Sequence, residues 1–237
     1  MDGHDTLLRQ TPTALRPLLG LTVLVVEDSR YASEAVRLMC LRSGARIRRA
    51  DSIEAARRHL AIYRPTVLLV DLGLPDGSGL DLIAALTGTS PRIDVILGTS
   101  GDDDMGDRVL AAGADGFIAK PVDSLLAFQT EILRHLPAER QPPAPRLVAD
   151  DVINPDPVAY HDDLNHIAQV LRGADGDRTL DYVTQFLGGI ARSARDHDLD
   201  AAVTRLTVTR DRGGDPAPSV AALSDMVHER LAAAGPI

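Results

Sequence analysis

The sequence predicts an α/β protein in which a doubly wound, five-stranded parallel sheet is followed by a small all-α helical bundle. From Leu21 to Leu136, short apolar runs alternate with amphipathic segments of helical spacing. After a stretch that contains four prolines, only helical spacing remains. Parallel strands need crossover connections, and the intervening helices supply them on both faces of the sheet. A chain of 237 residues is long enough for two such domains.

The strands of the first half are predicted from apolar runs, and the helices from their spacing and end signals. The run "LTVLVVE" is typical of a strand buried on both faces, and Gly44 is a stop signal for the first helix. The run "ARIRRA" is more polar, as expected of an exposed edge strand. We expect strands at 21–27, 45–50, 66–71, 93–98 and 115–119, and helices at 30–43, 52–63, 78–86, 104–112 and 122–136.

The second half is predicted to form four antiparallel helices. The stretch "PAERQPPAPR" breaks the alternating pattern and is typical of a semi-rigid linker. Beyond it, Leu180, Val183, Leu187 and Ile190 share one helix face, and apolar surface left over there would favour a partner helix or a second copy. The expected organisation is a flexible leader at 1–20, a sheet domain at 21–136, a Pro-rich linker at 137–157 and a helical bundle at 158–237.

Charge and composition exclude several classes of protein. The net charge is −9, and residues 137–237 hold 10 Arg against 16 Asp and Glu without a basic cluster, so DNA binding is disfavoured. The single Cys40 excludes an intrachain disulfide framework. No apolar run is long enough to span a membrane, and the leader lacks the basic-then-apolar order of a signal peptide. We therefore expect a cytoplasmic protein without a membrane partner.

Four strand ends carry residues that could bind a ligand or take part in a reaction. The first strand ends in Glu27 and Asp28, the third in Asp71, the fourth at Thr99, and Lys120 follows the fifth. In doubly wound sheets, ligands bind beyond the carboxyl ends of the strands, so these side chains are expected to converge. Clustered carboxylates repel one another unless a cation intervenes, and hard oxygen ligands suit Mg²⁺. A carboxylate beside such an ion can form an aspartyl phosphate.

Lysine usage supports a specific role for Lys120. Of the 25 basic residues, 24 are arginine, and Lys120 is the only lysine in the sequence. In a chain so rich in arginine, we expect lysine where the compact charge of an ammonium group is needed and the planar guanidinium group of arginine does not fit. We expect Lys120 to neutralise charge on a transferring phosphoryl group.

Residues 21–136 resemble the receiver domain of bacterial two-component response regulators, which has a flavodoxin-like fold. The motifs that carry the resemblance are "VVEDS", "VDLGLPDGSGLDL", "ILGTSG" and "GADGFIAKPV". The resemblance implies that Asp71 is the phosphoacceptor and helps to bind Mg²⁺ together with Glu27, Asp28 and the backbone carbonyl of Gly73. Such a protein catalyses nothing beyond assistance to its own phosphorylation and dephosphorylation.

The same resemblance implies a switch. Thr99 and Lys120 would contact the phosphoryl group, and Phe117 takes the place of the switch aromatic. One departure from the family pattern is Gly98, where a bulkier residue is usual, and we expect it to loosen that loop. The implied partner is a sensor histidine kinase or a phosphotransfer protein.

The second half is similar to the opening helices of histidine-containing phosphotransfer domains. That family continues with a helix bearing a histidine followed by lysine and glycine, whereas here "TVTRDRGGDPAPS" has neither histidine nor lysine. Two hypotheses stay open. The protein is a response regulator of a two-component phosphorelay that switches a protein–protein interaction, with homodimerisation as one form of it. Alternatively, it is a phosphorelay transferase in which a histidine of the bundle carries phosphate.

Overall fold

A five-stranded parallel sheet organises the first half of the protein, as the sequence predicts. The computed structural model describes residues 11–143, 152–173 and 176–233. The sheet has the order β2-β1-β3-β4-β5, in which the chain reverses direction across the sheet after β2. Its strands are β1 Thr22–Val26, β2 Arg46–Ala50, β3 Val67–Asp71, β4 Val95–Ser100 and β5 Gly116–Ala119.

Five helices cover the two faces of this sheet. One core lies under α1 and α5 and the other under α2, α3 and α4, so each central strand is buried on both sides. The edge strand β2 is largely exposed, which explains its arginines. The helices are α1 Arg30–Ser43, α2 Ile53–Ile62, α3 Gly79–Thr87, α4 Gly106–Ala111 and α5 Leu125–Arg134.

The register of the strands brings their carboxyl ends to one edge. Asp71 in β3 pairs with Thr99 in β4, and Ser100 in β4 pairs with Ala119 in β5. Val26 is the residue of β1 that pairs with Val70 in β3. The residues that follow β1 and β5 in the chain therefore emerge beside the ends of β3 and β4.

Several element ends differ from the prediction by one to three residues, and three of these differences have a clear structural cause. Strand β4 continues to Ser100, two residues beyond the predicted end, because Thr99 still pairs with both neighbouring strands and Ser100 pairs with Ala119 of β5. Helix α5 starts at Leu125 rather than at 122, because the side chain of Ser124 accepts a hydrogen bond from Ala127 N and caps the helix there. Helix α4 is shorter than predicted, since a 3₁₀ turn at Asp103–Met105 replaces its first residues.

The predicted leader and linker are described only in part. Residues 1–10 and 144–151 lie outside the described residues. Within the leader, Leu18 is fully buried and its backbone N–H donates to the Ser43 carbonyl, so this part of the chain packs against α1. At the far end of the linker, Ile153 N donates to the Asp123 carbonyl, which attaches the chain to the start of α5.

Four helices form the second half, as predicted. Their apolar side chains form one core, and Val183, Leu187 and Ile190 of the predicted stripe are completely buried in it. Those three residues are therefore not available to a second copy. Within the described residues, no helix is both long and apolar enough to cross a lipid bilayer. The helices are α6 Pro157–Arg172, α7 Asp177–Ser193, α8 His197–Asp211 and α9 Ala217–Ala233.

The helical bundle packs directly against the sheet domain. Helix α6 packs against α1, and α7 contacts both α1 and the strand Gly73–Leu74 of the short hairpin (Gly73–Leu74 and Gly77–Ser78) that follows β3. This arrangement places α7 over the carboxyl edge of the sheet, where the predicted site lies.

Candidate functional site

The three carboxylates predicted at the strand ends form one cluster. Glu27, Asp28 and Asp71 each offer an oxygen, and these atoms all lie within 4.8 Å of one another. Glu27 and Asp71 are buried side chains. Oxygen donors at this spacing fit Mg²⁺, which binds through one or two carboxylates and keeps positions for water and a phosphate oxygen.

Lys120 lies inside this cluster. Its Nζ is 2.7 Å from Glu27 Oε2 and 3.1 Å from Asp71 Oδ1, and the residue is only 7% exposed. The backbone holds it there, because Lys120 N donates to the Ser100 carbonyl at the end of β4. Burial alone would lower the pKa of Lys120, but the carboxylates of Asp71 and Glu27 raise it above its usual value. Lys120 is therefore a permanent ammonium group beside the predicted phosphoacceptor.

Glu27 and Asp28, the other two acids of the cluster, have raised pKa values. Burial raises the pKa of Glu27 to about 8, although Lys120 opposes the shift. Burial and then the charge of Asp71 raise the pKa of Asp28 to about 7. Both shifts reflect the burial of closely spaced carboxylates, and a divalent cation would relieve the repulsion among them.

Thr99 and Phe117 lie on adjacent strands next to the cluster. Thr99 is 2% exposed, and among the described residues its hydroxyl Oγ1 has no hydrogen-bond partner. An unpaired buried hydroxyl is costly, so it is well placed to bond to a group that arrives in the pocket. Phe117 is partly buried against the core under α4, with its ring 3.7 Å from where a methyl on Gly106 would lie.

Gly98 is a packed position within strand β4. A methyl group built on it would lie 2.7 Å from Cγ1 of Val109 in α4. The valine methyl groups thus fill the space that a larger side chain would take. This contact explains the glycine in this chain as a means of close approach between α4 and the sheet.

Gly73, the predicted carbonyl ligand, is buried under the bundle. A methyl group built on it would lie 2.2 Å from Cδ of Gln185, so the side chain of Gln185 rests directly on the Gly73 backbone. One helical turn earlier, Tyr182 donates its hydroxyl hydrogen to Asp28 Oδ2 at 3.0 Å. Helix α7 thus contacts two of the groups expected to bind the metal.

Sequence reasoning missed these contributions of α7. Tyr182, Gln185 and Arg192 are polar positions of a helix whose apolar stripe fills its own bundle, which is the pattern of an ordinary solvated face. Of these three residues, only Tyr182 could have been recognised from the sequence, since an aromatic side chain beside the apolar stripe often marks a contact with another domain or protein. Burial and then the charge of Asp28 raise the pKa of Tyr182, so its phenol remains a hydrogen-bond donor.

A cavity of about 290 Å³ remains between α7 and the cluster. It is large enough for a phosphoryl group and a metal ion with water. Charged and polar side chains from both halves of the protein line it, and among them are Asp71, Ser100, Lys120, Arg108, Gln185 and Arg192.

Comparison with known families identifies the first half of the chain. Residues 23–127 match the family described as the response regulator receiver domain. With the sheet order and the acidic cluster at its carboxyl edge, this match defines residues 23–127 as a receiver domain of two-component signalling. The match does not extend to the four-helix region.

Individual relatives agree with this assignment. The transcriptional regulatory protein KdpE of Mycobacterium tuberculosis (strain CDC 1551 / Oshkosh) is 36% identical over 44% of this chain and 47% of its own length. The probable transcriptional regulatory protein TcrX of Mycobacterium tuberculosis (strain H37Rv) is 33% identical over 56% of this chain and 58% of its own length. The chain thus spans about half the length of these curated relatives.

Among solved structures, the signal receiver domain of a signal transduction histidine kinase from Syntrophus aciditrophicus is 26% identical. The superposition covers 49% of this chain and 89% of that chain, with a TM-score of 0.44.

Proposed function

We propose that this protein is a cytoplasmic response regulator that accepts a phosphoryl group on Asp71 and thereby switches a protein–protein interaction. The donor would be a sensor histidine kinase or a phosphotransfer protein. The observation that carries the proposal is the convergence of Glu27, Asp28 and Asp71 within 4.8 Å, with the ammonium group of Lys120 between two of them.

In the proposed reaction, an oxygen of the Asp71 carboxylate attacks phosphorus. A new P–O bond forms, and the bond from phosphorus to the donor's leaving group breaks, with the electron pair departing on that group. Lys120, already 3.1 Å from Asp71 Oδ1, would stabilise the charge on the phosphoryl oxygens. The unpaired Thr99 hydroxyl would donate a hydrogen bond to the group once it is attached.

Glu27, Asp28, Asp71 and the Gly73 carbonyl would hold Mg²⁺, which supplies further neutralisation of phosphoryl charge. The positions of Thr99 and Phe117 on adjacent strands support the proposed roles of these residues in the switch. When the Thr99 hydroxyl turns toward the phosphoryl group, space opens beside it, and Phe117 on the neighbouring strand would rotate into that space. The face formed by α4, β5 and α5 would change as a result.

The test is to incubate the full chain with acetyl phosphate and Mg²⁺ and to locate the label by mass spectrometry. We expect one phosphoryl group on Asp71 and none after chelation of the metal. Asp71→Asn should abolish the label. Asp81→Asn makes the same chemical change on an exposed turn of α3 and should label at the wild-type rate. Full labelling of Asp71→Asn would contradict the assignment.

The alternative phosphorelay function is favoured by one specific contact. His166 Nε2 lies 3.0 Å from the hydroxyl of Tyr182, which itself donates to Asp28. Among the histidines of the described helices, His166 is thus linked to the pocket through a single side chain. His161 and His228 instead contact backbone carbonyls of the bundle.

Phosphate chemistry separates the two functions. An aspartyl phosphate is lost in base, whereas a phosphohistidine survives base and is lost in acid. Under the first proposal, all label from acetyl phosphate is base-labile, and His166→Gln leaves it unchanged. Base-stable label in the wild type that disappears in His166→Gln would favour the relay and overturn the proposal of a bundle that carries no phosphate.

A further inference from the structure

We propose that α6 and α7 form a cap on the receiver domain, and that the docked cap and Mg²⁺ compete for Asp28. The inference rests on the proposed function in one respect, the assignment of Asp28 as a metal ligand. It adds an internal partner for the phosphorylation site, namely the face of the bundle that carries Asp163, Tyr182 and Gln185.

The first support is the hydrogen bond from Tyr182 to Asp28. The phenol hydrogen occupies one oxygen of a carboxylate that is expected to coordinate the metal. A carboxylate oxygen that accepts this bond offers less charge to a cation. Mg²⁺ that binds through that oxygen would compete with the phenol hydrogen for the same electron density.

The second support is the close fit of α7 to the rim of the pocket. The Gln185 side chain rests on Gly73, and the Arg192 guanidinium lies against Gly101, where an added methyl group would be 2.3 Å from Nε. Between them, α7 has a glycine opposite the site, and a methyl group on Gly189 would stand 3.9 Å from Lys120 Nζ. Glycines on both partners thus allow the helix to approach the site closely.

The third support is a polar latch between α6 and α1. Asp163 is 2% exposed and accepts hydrogen bonds from Ser29 Oγ at 2.7 Å, Arg30 N at 2.8 Å and Tyr31 N at 3.0 Å. The first N–H groups of a helix have no partner within the helix, and a carboxylate there is stabilised by the helix dipole. A side chain of the bundle therefore completes the N-terminus of α1, immediately after Asp28.

These contacts connect the metal site with the position of the bundle. The latch and the Tyr182 bond are both made by the docked cap, and Ser29 directly follows Asp28 in the chain. Withdrawal of Tyr182 from Asp28 weakens the docked state, and release of Asp163 frees Asp28 for the metal. By linkage, Mg²⁺ must favour undocking to the same extent that docking disfavours Mg²⁺.

The test is calorimetric titration of the full chain with Mg²⁺. Tyr182→Phe removes only the hydroxyl, and Asp163→Asn weakens the latch without touching the carboxylate cluster. Both should raise the affinity for Mg²⁺ about tenfold, the effect of removing one charge-assisted hydrogen bond. Asp162→Asn is the matched control, since the carboxylate of Asp162, next to Asp163 in the chain, makes only an exposed ion pair with Arg30. The Mg²⁺ affinity of this variant should equal that of the wild type.

Hydrogen exchange of the wild type provides a second measurement that needs no variant. The amides of Arg30 and Tyr31 bond to Asp163 in the docked state, so saturating Mg²⁺ should speed their exchange while the bundle core stays protected. Equal Mg²⁺ affinity in all four proteins, together with unchanged exchange at these two amides, would overturn the cap.

Failure of the proposed function has a different signature. If Asp71 takes no label from acetyl phosphate in any variant while Mg²⁺ affinity still rises in Tyr182→Phe and Asp163→Asn, the phosphoacceptor assignment is wrong and the cap stands. If Asp71 is labelled equally fast in all variants and their Mg²⁺ affinities agree, the phosphoacceptor stands and the cap is wrong.

Discussion

The carbonyl oxygen of Asp71 lies against the Cα of Gly79. A methyl group built on Gly79 would be 2.1 Å from that oxygen and 2.8 Å from the Cα of Leu72. Gly79 N also donates to the Leu72 carbonyl, so the first residue of α3 is held tightly beneath the end of β3. The backbone of Asp71, the predicted phosphoacceptor, thus depends on the absence of a side chain eight positions later.

Gly79→Ala should therefore disturb Asp71 itself. Because the neighbouring atoms are backbone and cannot rotate away, we expect a loss of about 2–3 kcal/mol in the free energy of unfolding, with slower labelling of Asp71. Urea denaturation and acetyl phosphate labelling measure the two effects. Gly88→Ala at the end of α3 is the control, since a methyl there meets no atom within 4 Å among the described residues, and both properties should be unchanged.

Thr99→Ala should separate phosphorylation from the switch. Among the described residues the hydroxyl has no partner before phosphorylation, so its removal should change the free energy of unfolding by less than about 1 kcal/mol. Asp71 should still be labelled, but the phosphate-induced amide shifts near Phe117 in NMR spectra should disappear. Thr99→Ser keeps the hydroxyl and should keep those shifts. Identical shifts in the wild type and Thr99→Ala would contradict this role.

Lys120→Met should affect both stability and phosphorylation. It leaves Glu27 and Asp71 buried without their shared cation, which should lower the free energy of unfolding by about 3 kcal/mol. Labelling of Asp71 should slow by about a hundredfold, because a preorganised charge beside the phosphoryl group is lost. Arg108→Met removes an exposed cation that lines the same cavity and should change either property little. Comparable losses in both variants would argue against a special role for Lys120.

The bundle should lose stability in acid through Asp196. Hydrogen bonds from Arg230 lower the pKa of the Asp196 carboxyl to about 2, against about 4 in an unfolded chain. Its stabilisation is therefore complete above about pH 4 and is lost as the pH falls toward 2. Asp196→Asn should lower the free energy of unfolding by about 1 kcal/mol at neutral pH. In acid, the difference in the free energy of unfolding between this variant and the wild type should disappear.

Asparagine suits this comparison because it can keep the cap of α8, where Asp196 accepts a hydrogen bond from Leu199 N. Urea unfolding followed by circular dichroism across this pH range is the measurement. A gap between variant and wild type that stays constant from neutral pH to pH 2 would mean that the charge of Asp196 is not its source.

The sheet and the acidic cluster could be predicted from the sequence because both depend on local patterns. A doubly buried strand is a continuous apolar run, and a residue directly after it must emerge at the carboxyl edge. Asp71, Thr99 and Lys120 were predicted in this way. The predicted start of α5 is wrong by three residues, because Val122 fits the apolar spacing and only the cap at Ser124 sets the boundary.

The cap could not be predicted in the same way. Tyr182 and Asp28 are separated by 154 positions, and no periodicity connects residues so far apart. In the sequence, Asp163 looks like an ordinary solvent-facing residue of a helix. Its burial results only from docking against α1. The apolar stripe of α7 predicted a bundle correctly, but the polar face of the same helix makes the contacts with the site.

The position of the single lysine gives the protein a built-in chemical reporter. An amine-reactive reagent has one side-chain target in this sequence, and that amine lies 7% exposed beneath α7. Its modification rate therefore measures how often the pocket opens to solvent. Since a single lysine is present, the modified fraction can be read by mass spectrometry from the one peptide that contains Lys120.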